Sequence, residues 1–213
     1  QDLCVPGLGR KERAVELGIN LVDTAEAYGD GHSEQVMRPA IKKVGRENVF
    51  VATKVGGWHL RPDDVKKACA GSLRRLGVRE IDLYQVHWPD PWSQVPLRDT
   101  MKALEALHRA GKIRHIGVSN FAVRDLEEAR SLLSRTDIAS NQVRYNMLQR
   151  EIEAEVLPYC RREGIAILAW SPIGKGVLSG KYHARKRPKD RVRSDEDLFK
   201  LVNLRKVAPL VAR

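Results

Sequence analysis

An acid, a tyrosine, a lysine and a histidine stand at equivalent places in this chain, each at or just beyond the end of a short apolar run. Asp23 and Tyr28 lie in Leu21-Val-Asp-Thr-Ala-Glu-Ala-Tyr-Gly-Asp-Gly-His-Ser-Glu34, Lys54 ends Val49-Phe-Val-Ala-Thr-Lys54, and His87 ends Ile81-Asp-Leu-Tyr-Gln-Val-His87. These types suit proton transfer to a developing oxyanion. Tyr28 can give a proton, although a free phenol, with a pKa near ~10, is a reluctant acid at neutral pH. A nearby ammonium favours the phenolate and lowers that pKa. Lys54, held and charged by Asp23, is expected to do this. His87 can donate a hydrogen bond to the reacting oxygen and orient it. Each residue also has an ordinary use: an Asp–Lys pair across strand ends, a rim tyrosine, a histidine packed beside Trp88. Four such accidents at one face are improbable, and the catalytic reading is preferred.

The elements that must position these residues alternate regularly. Short β-branched or apolar runs occur at residues 20–24, 49–54, 81–87, 113–120, 139–145 and 166–170. Amphipathic stretches at 10–17, 34–44, 62–76, 97–110, 124–133 and 150–163 separate them, with a further helix over 204–213. The 62–76 segment opens on Pro62 and two aspartates, which suits a helix N-terminus, and Val65, Ala68, Cys69, Ser72, Leu73 and Leu76 mark one helical face. Gly18, Gly77, Gly111 and Gly164 each follow a helix, where a left-handed residue is wanted. Strand–helix alternation predicts parallel strands with right-handed crossovers. An open doubly wound sheet and a (β/α)8 TIM barrel both fit. No Gly-x-Gly-x-x-Gly follows the first strand, and polar residues end many strands: Asp23, Lys54, His87, Ser119-Asn120, Gln142 and Ser171. Convergence from every strand is a barrel's habit, whereas an open sheet concentrates its ligand at one switch point. We therefore expect an α/β chain forming a single barrel domain over residues 1–213.

That barrel is incomplete at both ends. A seventh strand is conceivable at residues 3–8, and a last strand and helix are missing. Either the chain is a fragment or these residues are the ordered parts of a longer one. The second is preferred, because a barrel without its closing strand exposes edges and core.

Composition bounds the alternatives. With 213 residues, 42% hydrophobic and 31% charged, the chain is of ordinary globular type. No apolar run reaches the roughly 20 residues of a membrane span. Cys4, Cys69 and Cys160 are far apart and lack metal-ligand spacing, so no metal is expected and reduced thiols imply a cytoplasmic location. The net charge of +11 raises a nucleic-acid reading, but the basic residues are interleaved with acids, as in Arg124-Asp-Leu-Glu-Glu-Ala-Arg130. The dense run His183-Ala-Arg-Lys-Arg-Pro-Lys-Asp-Arg-Val-Arg193 reads as a solvated loop or a site for an anionic cofactor, and no nucleic-acid partner is expected.

Asp23, Tyr28, Lys54 and His87, in this order at these strand ends, resemble the catalytic tetrad of the aldo-keto reductases. The resemblance continues through Gly117-Val-Ser-Asn-Phe121, Asn141-Gln-Val-Arg-Tyr-Asn146 and Trp170-Ser-Pro-Ile-Gly-Lys-Gly-Val-Leu-Ser-Gly-Lys181, and runs from about Arg10 onward. It implies reduction of aldehydes or ketones to alcohols, and because no side chain carries a hydride, a nicotinamide cofactor. NADP(H) follows family habit, with NAD(H) open, because the family's 2′-phosphate grip lies in the missing C-terminal part. Ser119, Asn120 and Gln142 match positions that hold the nicotinamide carboxamide, with Asp23 also counted among the cofactor contacts. Trp170 falls where an aromatic stacks on that ring. The backbone of Ser171, Pro172, Ile173, Gly174 and Lys175, with Lys181, resembles the loop that meets the pyrophosphate. Arg191 lies on a segment that straps over the cofactor in related reductases. Trp58, Trp88 and Trp92 imply an aromatic mouth for a small carbonyl substrate. A monomer or weak oligomer is expected. The same fold also serves as a regulatory subunit of potassium channels, and residues 170–181 resemble that branch equally. His87 argues for turnover, since channel subunits depart from histidine there.

Overall fold

A computed structural model describes residues 10–90 and 94–211. The possible strand at 3–8, Cys4 and Trp92 lie outside the described residues. Among those described, six strands run β1 (Leu21–Asp23), β2 (Phe50–Val55), β3 (Ile81–Val86), β4 (Ile113–Ser119), β5 (Ile138–Arg144) and β6 (Ala166–Trp170). All pair in parallel, in the spatial order β1-β2-β3-β4-β5-β6. This order decides the architecture. A doubly wound sheet reverses direction at a switch point, whereas each step here advances the same way, as in a barrel wall. The protein is a partial (β/α)8 barrel whose described residues supply six of the eight strands.

The helices α1 (Arg10–Glu16), α2 (His32–Val44), α3 (Pro62–Leu76), α4 (Leu97–Arg109) and α5 (Val123–Ser131) form the outer layer, each packed on the next. The predicted face of α3 is buried through Val65, Ala68, Cys69, Ser72 and Leu76, with Leu73 partly buried. The main core lies between these helices and the strands, and β3 is buried along its whole length. The edge strands β1 and β6 are more exposed. Gly117 leaves room for side chains of the flanking strands: a Cβ there would stand 2.7 Å from Ser140 Oγ, 2.9 Å from Gln85 Cγ and 2.9 Å from Leu83 Cδ1.

The expected helix over 150–163 is a correction. A 3-10 turn at Glu151–Glu153 precedes a shorter helix, α6 (Val156–Arg162). Pro158 has no N–H to bond back towards residue 154, and it lies in the first turn of α6. Beyond β6 comes the short α7 (Arg191–Ser194), and a 3-10 stretch (Gly174–Ser179), a 3-10 turn (Asp197–Phe199) and α8 (Leu201–Val211) assemble a second small core from Val177, Phe199, Leu204 and Val207. Among the described residues no helix is long and apolar enough to cross a membrane.

Candidate active site

Because the strands are parallel, their C-terminal ends share one rim. Asp23 closes β1, Lys54 is the penultimate residue of β2, and His87 follows β3. Lys54 Nζ donates to Asp23 Oδ2 at 2.7 Å and to the Thr24 carbonyl at 2.8 Å, with its side chain fully buried. Gln85 Nε2 donates to the other Asp23 oxygen at 3.2 Å. Tyr28 hangs from the loop after β1, where Gly29, Asp30 and Gly31 are all left-handed (φ 61°, 53° and 81°). That run turns the chain sharply into α2, and two glycines make it affordable in conformational terms. The Lys54 ammonium lies 5.2 Å from the Tyr28 ring centroid. The Tyr28 and His87 rings meet edge to face with centroids 5.6 Å apart. The structure thus brings Asp23, Tyr28, Lys54 and His87 into one cluster. Gln85 was not singled out in the sequence, although strand alternation puts it on the same face as His87.

The electrostatics differ from expectation at Tyr28. Its phenol is pushed up from the ordinary value, by burial first and the Asp23 carboxylate second. Burial and the Asp23 carboxylate thus prevail over the lowering expected from Lys54, whose ammonium is bound to Asp23 and the Thr24 carbonyl. Burial lowers the Lys54 pKa while Asp23, by charge and hydrogen bond, opposes that. His87 is pushed down to about 4, by burial and then by Lys54. At neutral pH the site holds a neutral imidazole beside a protonated phenol.

The next strands supply polar groups to the same rim. Ser119 Oγ donates to the Gln142 carbonyl at 2.8 Å. Asn120, left-handed at φ 64°, donates from Nδ2 to the His87 carbonyl at 3.1 Å and accepts the Trp170 indole N–H at 3.0 Å. Asn120 therefore joins the β3, β4 and β6 ends. The Arg144 guanidinium stands 5.7 Å from the Trp170 ring. After β6, Ser171, Gly174, Lys175 and Gly176 all have positive φ (52°, 54°, 52° and 102°), so the loop folds tightly. Pro172 and Ile173 are exposed on it. The Lys175 ammonium is taken by Glu196. Lys181 is exposed beside the Tyr182 ring, and Arg191 is exposed on α7. Arg193, not singled out beforehand, donates to the Lys175 carbonyl at 3.1 Å. Trp88 stacks on His87 with centroids 6.5 Å apart, and Trp58 is exposed in the loop after β2. A cavity of about 660 Å³ at the opposite end of the strands holds none of these residues; its buried Asp82 is paired by Arg46 and Arg114.

Comparison with known proteins agrees with this fold. A family model described as "Aldo/keto reductase family" matches residues 11–210. The aldo-keto reductase YhdN of Bacillus subtilis (strain 168) is 41% identical over 177 residues, covering 79% of this chain and 52% of that protein. An NADH-specific methylglyoxal reductase of Escherichia coli (strain K12) is 37% identical over 182 residues, covering 76% and 55%. The chain thus spans about half the length of these curated relatives. A crystal structure of an aldo/keto reductase from Klebsiella pneumoniae, in complex with NADP and acetate, superimposes with a TM-score of 0.70 at 33% identity, covering 94% of this chain and 67% of that one. Sequence and barrel point the same way along nearly the whole chain, and this protein belongs to the aldo/keto reductase family.

Proposed function

We propose that this chain carries the catalytic rim of a nicotinamide-dependent oxidoreductase that reduces aldehydes and ketones to alcohols. The observation that carries the reading is the ion pair of the buried Lys54 with the Asp23 carboxylate beneath the Tyr28 ring, with His87 at its edge. Tyr28 is the proton donor. Its raised pKa keeps the proton on the phenol through neutral pH. As the carbonyl oxygen becomes an alkoxide, Tyr28 releases that proton, and the nearby Lys54 ammonium stabilises the phenolate left behind. The neutral His87 orients the carbonyl by hydrogen bonding.

The rim suits a nicotinamide dinucleotide. Gln142 is buried near the end of β5, and among the described residues its side chain has no hydrogen-bond partner, which leaves its amide for a carboxamide. Ser119, Asn120 and Asp23 stand beside it, and Trp170 offers an aromatic face. The tight 171–176 loop, with exposed Lys181 and Arg191, supplies backbone donors and cations for phosphates. When bound, the cofactor supplies the hydride. NADP(H) is the proposed form because a structural relative was crystallised with NADP. NAD(H) is the alternative, since a sequence relative is named NADH-specific. Trp58 and Trp88 form an aromatic wall for small carbonyl substrates, in keeping with the methylglyoxal reductase among the relatives. The buried unpaired thiols Cys69 and Cys160 suit a reducing, cytoplasmic setting.

The test follows NADPH absorbance with 4-nitrobenzaldehyde, using the full-length protein and Tyr28→Phe. The substitution is expected to lower kcat by about 10²- to 10⁴-fold while the NADPH Kd stays within about threefold. Undiminished turnover would remove Tyr28 as the acid. NADPH binding without wild-type turnover would favour a cofactor-sensing regulatory subunit of the same fold.

A further inference from the structure

Glu26 lies between Asp23 and Tyr28 in the loop after β1, yet it takes no part in the cluster around Lys54. Its side chain is only 8% exposed, so its carboxyl group must find partners inside the protein. It finds them on the neighbouring loop. Glu26 Oε1 accepts the Gly56 backbone N–H at 2.6 Å and the His59 Nδ1 proton at 3.0 Å. Its own backbone N–H donates to the Lys54 carbonyl at 3.3 Å. Glu26 therefore wraps the end of β2 and grips both ends of the turn at residues 56–59, which closes through a His59 N–H to Gly56 carbonyl bond of 2.9 Å.

That turn presents Trp58. The indole lies flat on Gly56: a Cβ built there would be 2.7 Å from two of its ring carbons. The Trp58 and His59 rings meet edge to face at 5.9 Å, so both neighbours that orient the indole are themselves held by Glu26. On its other side the turn runs past Trp88, whose ring stacks on His87. The position of the Trp58 wall beside the reacting centre is thus set from below by one buried carboxyl group.

We propose that Glu26 is a specificity-determining positioning residue, which holds the 56–59 turn so that Trp58 forms a fixed aromatic wall for bulky carbonyl substrates. This rests on the reductase reading of the same site. The wall matters to a substrate large enough to touch it and not to a small one. Glu26 acts on substrate fit, through Trp58, and not on proton transfer.

Glu26→Leu removes both acceptors at similar volume. It strands no cation, because Arg75, 4.0 Å away, keeps its 2.6 Å bond to Glu34. Glu26→Gln retains one acceptor and serves as the conservative control. In Glu26→Leu the KM for 4-nitrobenzaldehyde should rise by about five- to tenfold, and kcat should stay within about twofold. The KM for methylglyoxal should stay within about twofold, and Glu26→Gln should fall between Leu and wild type. Trp58→Ala should also raise the aromatic KM, and adding Glu26→Leu to it should change that KM by less than about twofold, as residues acting through one contact are non-additive. Amide exchange at residues 56–59 should accelerate in Glu26→Leu. The inference is overturned if both aldehydes respond alike, if the double variant is additive, or if exchange at 56–59 is unchanged. An inert wild-type protein would instead overturn the reductase reading beneath it.

Discussion

Lys54 is a fully buried ammonium whose charge depends on a single carboxylate. Burial alone drives it towards the neutral amine, and Asp23 opposes this through charge and a hydrogen bond. Lys54→Met therefore removes the group that stabilises the Tyr28 phenolate as it forms, and it leaves Asp23 beside the phenol. We expect kcat to fall by about 10²-fold or more, with the loss read in single-turnover kinetics and cofactor affinity little changed. His87 gives a separate pH signature. Its folded pKa of about 4 lies below the ordinary histidine value of 6.5, so the unfolded chain binds the extra proton more readily. Stability is then fully present above pH 6.5 and is lost as pH falls towards 4. Thermal melting of the wild type should decline across that window, and His87→Gln should flatten part of the decline. Reduction should fall near pH 4, as His87 gains its proton in the folded protein, and again when Tyr28 loses its proton above the ordinary phenol range of about 10.

At the scale of elements, most of the frame was legible in the residues. The predicted strand at 166–170 coincides with β6, and the predicted helix at 62–76 with α3, because Pro62 starts the helix and Gly77, at φ 71°, ends it. The 150–163 segment misled because its amphipathic pattern continues through a place where Pro158 interrupts the backbone bonds. Gly117 was legible only as part of a motif. Its structural reason is the crowding of Ser140, Gln85 and Leu83 around the missing side chain. Gly117→Ala should lower stability by about 1–3 kcal/mol, measured by denaturant unfolding, and it should disturb Gln85 and through it the Asp23 carboxylate.

Across the whole molecule, the basic excess of +11 is partly gathered on the segment between the 174–179 stretch and α8. Phe199, fully buried and edge to face with Tyr182 at 5.4 Å, pins that segment to the small second core. Arg191 is an exposed cation on α7, the helix whose Arg193 bonds the Lys175 carbonyl in the stretch after β6. Arg191→Ala should raise the NADPH Kd by about three- to tenfold at low salt, and by less at high salt. An unchanged Kd in fluorescence titration would remove Arg191 from the cofactor contacts.

The strand order that makes the sheet a barrel wall came from the tertiary structure, while the sequence by itself determined the alternation of strands and helices and the identity of the residues at the strand ends. Those features are written in local periodicity, in helix-ending glycines and in side-chain types, all of which act over a few neighbouring residues. Only the tertiary structure decided which protons the cluster holds. Burial and then Asp23 raise the Tyr28 phenol, whereas burial and then the Lys54 charge keep His87 neutral. It alone revealed Gln85 behind Asp23, Arg193 against the 174–179 stretch and Glu26 beneath Trp58. Except for Glu26 and Gly56, those partners are joined by contacts between side chains, or between a side chain and a carbonyl, across distant parts of the chain. Desolvation and such contacts depend on what folding brings together, and no stretch of sequence states them.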